Sequence, residues 1–211
     1  MIMGQNWLPD YLDVLPKLRF LDPLGAFLTG NAEPEAVEYS FQDVVKLSGH
    51  SCPTIAGAYG IVVEAMAALY DEQETPVRGQ IQVECPETAT SGAMGPLSQA
   101  ITYLTGACAE NGFYGLAGQF QRSGLLSFNQ KTRDESPFIF TRTDTGKSVG
   151  VFYHAHKIPG DPKMGELMQK SLGGAATPEE LKEFGRLWQE RVRYVLEKAE
   201  NRKELFEVVS L

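Results

Sequence analysis

Three histidines and three cysteines are this chain's whole stock of imidazole and thiol donors. One of each stands two residues apart in SGHSCPTIAGAYG, residues 48–60. Pro53 suits the first turn of a helix, so Cys52 falls at a helix start. A sulfur there meets the positive end of the helix dipole and unpaired backbone N–H groups, and both favour thiolate over thiol. Thiolate is the form that binds a metal or attacks an electrophile. His50 offers a second donor to the same ion, or a base for the thiol. The competing reading makes His50 a local hydrogen-bonding residue and Cys52 a small buried filler, since free cysteine is among the most buried residue types.

A second pair lies in FYHAH, 152–156. On a strand His154 and His156 point to one face, a common way to offer two imidazoles to one metal; the alternative is a solvated strand end. Together with His50 and Cys52 they would satisfy a four-coordinate zinc ion. Cys108, in TGACAENG, is either a further thiolate or a packing residue, and a helix C-terminus disfavours its thiolate. Cys85 falls on the apolar face of an alternating strand and reads as core. There is no GxSxG motif, no paired-carboxylate signature, no P-loop and no dinucleotide fingerprint. Two other classes stay open. One is a metal-free thiol enzyme with Cys52 as nucleophile and His50 as its base. The other is a binding module whose cavity beside residues 54–60 holds a small organic ligand or haem, with His50 or Cys52 as axial ligand.

The elements that must position these residues are legible as pattern. Residues 7–28 are apolar but broken by Pro9, Pro16 and Pro23, which predicts short helices over 9–15 and 17–28; residues 29–36 read as a linker. Ser40 and Asp43 make a capping box for a helix ending at Gly49. Ile55, Tyr59, Val62, Val63, Met66 and Leu69 predict a helix from Pro53 to about Tyr70, with small residues in its first two turns for close approach of another backbone. VRGQIQVEC, 77–85, alternates as a half-buried strand. A helix runs from Pro96 to Gly106. FYGLAGQF and GLLSFNQ suggest strands, and residues 137–156 a hairpin turning at DTGK. Thr177-Pro178-Glu179-Glu180 opens a long amphipathic helix. The fold class is therefore α+β, with a helix cradled by a mixed, mostly antiparallel sheet and helical terminal extensions. The expected division is an N-terminal helical arm (1–36), a metal-binding body (37–160) and a C-terminal helical extension (161–211).

Composition narrows the partners. A net charge of −8, with no Lys/Arg run, argues against nucleic acid and anionic membrane surfaces. No apolar stretch reaches the ~20 residues that span a bilayer. The N-terminus lacks a signal-peptide pattern, and an odd cysteine number suits a reducing compartment, so a cytoplasmic location is expected.

GHSCPTIAGAYG and, some fifty residues later, ITYLTGACAENGFYGLAGQF resemble the two signatures of the FmdE family, named after a component of formylmethanofuran dehydrogenase. The resemblance covers about residues 38–155, with the terminal segments outside it. It implies an α+β fold, a homodimer, and a transition metal, usually zinc, held through His50 and Cys52. The chain departs from the pattern at Ser48, Thr54 and Ala107, where the family has His, Gly and Cys; Cys108 stands one place late. Completion of the site then falls to Cys108, His154, His156 or water. The C-terminal zinc-ribbon cysteines of some members are absent. The family name refers to an operon, and a shared fold does not transfer an activity. The reading is thus a cytoplasmic metal-binding protein, either accessory and metal-handling or using its ion as a Lewis acid on a small molecule, and not the dehydrogenase itself.

Overall fold

The computed structural model describes residues 8–9, 11–12, 15, 17–132 and 135–211. Along the chain run β1 (Leu18–Leu21), α1 (Pro23–Thr29), β2 (Ala36–Tyr39), α2 (Phe41–Ser48), α3 (Pro53–Leu69), β3 (Ile81–Cys85) and α4 (Met94–Thr105). These are followed by β4 (Leu126–Phe128), β5 (Phe138–Arg142), β6 (Ser148–Tyr153), α5 (Met164–Leu172), α6 (Pro178–Leu196), α7 (Ala199–Leu205) and β7 (Phe206–Ser210). The main sheet has the order β4-β3-β5-β6-β7. β3 and β4 are parallel, joined across α4 as a parallel pair requires; every other neighbour is antiparallel. β1 and β2 form a separate antiparallel ribbon. The class is α+β, as the pattern predicts.

Helix α3 lies at the centre. It packs on β5, β6 and β7 and against α2, α4 and α6, and Ile55 to Val62 are all buried. The expected one-sided apolar face therefore becomes burial around most of the helix. Its small residues let the sheet approach. A Cβ on Gly57 would stand 2.1 Å from the Tyr153 ring, and one on Gly60 would stand 2.3 Å from the Phe206 ring. Those two rings stack on each other at 5.0 Å, and Tyr153 Oη donates to the Pro53 carbonyl at 2.9 Å. The space beside Gly57 and Gly60 is thus filled by these two aromatic side chains.

Capping holds as read. Ser40 and Asp43 close both halves of the capping box at α2, and Thr177 and Glu180 do so at α6. The hairpin of β5 and β6 turns over 143–147 around Gly146 at φ 74°.

Other expectations change. The helix over 17–28 divides: Leu18–Leu21 pairs as a strand, and α1 starts only where Asp22 caps Gly25 N–H and Pro23 fixes the first turn. The expected helix 9–15 lies partly outside the described residues, with Tyr11 and Leu12 in a 3-10 turn. The strand of 77–85 shortens to Ile81–Cys85, because Gly79 at φ 82° turns the chain before it. FYGLAGQF is a tight loop closed by reciprocal Leu116 and Gln119 backbone bonds, with Gly115, Ala117, Gly118 and Phe120 all at positive φ. Finally, β6 stops at Tyr153. His154 precedes a 3-10 turn over Ala155–Lys157, so His154 and His156 do not share a strand face. Strand β7, unforeseen in the C-terminal segment, pairs with β6 from Phe206 to Ser210.

Replacing Gly57 with Ala tests the close approach. Helix propensity alone favours Ala by about 1 kcal/mol, but the buried, hydrogen-bonded Tyr153 ring cannot yield freely. Overpacking should win, with a net loss of about 1–3 kcal/mol in urea unfolding; an unchanged or raised midpoint would remove this contact from the account.

Candidate functional site

The loop that carries His50 and Cys52 is fixed from three sides. Gly49, at φ 75°, ends α2 and turns the chain. Trp188 Nε1 and Gln189 Nε2 of α6 both donate to the Ser51 carbonyl, at 3.1 and 3.2 Å, and Tyr11 Oη donates to Gln189 Oε1. Pro53 then starts α3, and Cys52 is its N-cap, with Sγ accepting the Ile55 N–H at 3.5 Å. No acidic residue stands in the first turn, so the helix start meets sulfur instead of a carboxylate. Cys52 is 8% exposed and packs at the edge of the main core.

His50 is exposed, and its Nδ1 lies 3.0 Å from the Ser48 carbonyl oxygen. That oxygen can only accept, so Nδ1 carries a proton, and in the neutral ring the lone pair is then on Nε2. Metal-ligating histidines are commonly oriented in this way, by a backbone carbonyl on the other ring nitrogen. Among the described residues no hydrogen bond joins His50 to Cys52.

The other candidates lie elsewhere. Tyr153 faces α3 from one side of β6, while His154 follows with its ring parallel to Phe152, on the opposite face, and its Nε2 3.3 Å from Glu207 Oε2. His156 is exposed in the 3-10 turn, edge-on to His154 at 5.8 Å. Cys108 is half-buried beside a cleft of about 590 Å3, lined also by Leu47, Tyr103, Leu126 and Phe128. Cys85 is fully buried in the core as expected, and burial pushes its thiol up to about 12. Among the described residues, no group of three or more His, Cys, Asp or Glu is placed to hold a metal ion. A complete four-donor set for zinc is thus not brought together among the described residues.

One cluster has no motif in the sequence. Asp22, Arg78 and Arg122 form a mostly buried ionic triad: Arg78 Nη1 and Arg122 Nη2 each donate to the Asp22 carboxylate at 2.8 Å. Arg78 also donates to the carbonyls of Tyr103 and Leu104 in the last turn of α4. Only Asp22, placed before Pro23, carried a local signal, that of a helix cap; Arg122 is a hundred residues away from it.

Residues 47–207 match the family described as FmdE, Molybdenum formylmethanofuran dehydrogenase operon. The match takes in His50, Cys52, Cys108, His154 and His156, and runs past residue 155 through α5, α6 and α7 into β7. No curated protein matches the sequence.

The three thiols should label in a fixed order. Iodoacetamide under native conditions should modify Cys108 first and Cys52 more slowly, leaving Cys85 until the protein unfolds. Peptide mass spectrometry reads this directly, and labelling of Cys85 as fast as Cys108 would contradict the burial described.

Proposed function

The chain belongs to the FmdE family, and on that premise we propose that it is an accessory protein associated with formylmethanofuran dehydrogenase, handling a transition metal, zinc first, at His50 and Cys52. The observation that carries this reading is the placement of the two donors. Cys52 Sγ caps the start of α3, accepting the Ile55 N–H at 3.5 Å. The Ser48 carbonyl leaves His50 Nε2 free to coordinate. Bound there, a metal would supply Lewis acidity and a site for exchange of ligands.

The donor set suits a carrier better than a structural site. Structural zinc is held by four protein ligands; here one chain offers two, one of them exposed. The remaining positions would be filled by water, a small molecule or a second copy of the chain, and we propose a homodimer. The free edge of β7, with Val208 and Leu211 exposed, is a surface on which copies could meet. Three unpaired cysteines support placing the protein in the reducing cytoplasm.

Metal analysis tests the reading. Wild-type protein purified without chelator should carry metal, and His50→Ala and Cys52→Ala should each lose most of it while circular dichroism stays unchanged. Metal content equal in all three proteins, or none in the wild type after zinc loading, would sink the assignment. Because so few ligands come from one chain, a chromogenic chelator should strip the ion within seconds rather than hours.

A further inference from the structure

The Asp22–Arg78–Arg122 triad stands at a cleft of about 490 Å3 between α1 and the segment 119–125. The chain carries a net charge of −8, yet this cleft is lined by two arginines and no carboxylate. Its remaining polar walls are amides and a hydroxyl: Gln80, Gln82, Gln119, Gln121 and Ser123. Asp22 does not neutralise the pair. One carboxylate faces two guanidiniums, and both of its oxygens are already engaged, Oδ1 by Arg122 and Gly25 N–H and Oδ2 by Arg78.

The arginines have hydrogen-bonding capacity left over. Arg78 is one-fifth exposed and spends three of its N–H groups, on Asp22, Leu104 and Tyr103, out of the five that a guanidinium carries. Arg122, its side chain 9% exposed, donates through Nη2 while its buried Nη1 has no partner. A charged donor left unpaired in the interior carries its full desolvation penalty, and such a group calls for an explanation. Burial works against the Arg122 charge, and Asp22 is the main group favouring it. The chain makes room for this cation at some cost to backbone choice. Gly79 and Gly106, both at φ near 80°, have ideal Cβ positions 2.4 and 2.5 Å from Arg122 Nη1, so any side chain at either would displace the guanidinium.

The cleft is larger than an inorganic ion. It is of the size that takes organic ligands, and it adjoins a second hollow of about 280 Å3 that shares Gln82, Gly124 and Leu125 and adds Ser127, Thr141 and one carboxylate, Glu84, at the end away from the arginines. Phe120, held at φ 60° and packed on Phe27 of α1 at 5.2 Å, forms part of the cleft wall. We propose that this cleft binds a small organic anion, its carboxylate or phosphate head on Arg78 with the surplus charge of Arg122 behind it, and its polar body against the glutamine amides. The site is separate from His50 and Cys52 and does not depend on the metal reading. The two clefts are linked through the backbone: Cys108, which lines the other cleft, donates its N–H to the Arg122 carbonyl at 3.0 Å.

Calorimetric titration of the full chain with citrate, adenosine monophosphate and inorganic phosphate tests this. Citrate or the nucleotide should bind saturably with a dissociation constant of about 1 mM or tighter and more weakly as salt rises. A preference for citrate would make the head a carboxylate, a preference for the nucleotide a phosphate. Gln80→Glu adds an anion at an exposed cleft position, clear of the Asp22 network, and should weaken binding about tenfold with unchanged melting. Absence of saturable binding by all three probes, or binding indifferent to Gln80→Glu, would overturn the proposal.

Discussion

The close approach of α3 to the sheet is the constraint on which everything else depends. Two rings, Tyr153 and Phe206, occupy the volume that Cβ atoms at Gly57 and Gly60 would need. Dense packing of this kind transmits position, because interiors at crystal-like density leave no slack. Tyr153 is the link: its ring fills the gap at Gly57 and its hydroxyl holds the Pro53 carbonyl. The start of α3, and therefore the Cys52 cap, is located by a residue from the far side of the core. Phe206 extends the same constraint to the C-terminal strand, which joins the sheet beside β6.

A helix buried on nearly all sides cannot leave its first N–H groups to water, so the identity of its cap matters. Sulfur is a weak acceptor compared with the serine and threonine at the starts of α2 and α6. A weak cap on a helix buried along most of its length is a local rule broken in a place where function is expected. The α6 helix compensates: Trp188 and Gln189 together hold the Ser51 carbonyl, so the loop keeps its shape through bonds that do not involve the thiol.

The second organising element is electrostatic. Asp22 caps α1 and pairs with Arg78 and Arg122, while Arg78 takes up carbonyls at the end of α4. One carboxylate thus ties together the N-terminal ribbon, the segment before β3, the end of α4 and the loop before β4. Breaking such a network by removing one member leaves an uncompensated charge inside, which costs more than the pairing itself contributes. The surplus of positive charge in an acidic protein is what makes this cluster a recognition site as well as a clamp.

Local chemistry alone determined the α+β class, the caps at Ser40 and Thr177, the helix opened by Pro53 and the turn at Gly146, because each depends on residues three or four positions apart. The His-x-Cys motif was legible for the same reason, as was the buried role of Cys85, from strand alternation. The end of β6 before His154 was not, since alternation continues in the letters after the hydrogen-bonded ladder has stopped. Nor was strand β7, a five-residue segment whose partner lies some fifty residues earlier. Tertiary structure alone decided which donors meet: it set His154 on the face of the sheet away from α3 and brought Asp22 to Arg122 across a hundred residues. Charge pairing and ligand geometry act through space, and only the folded chain defines those distances.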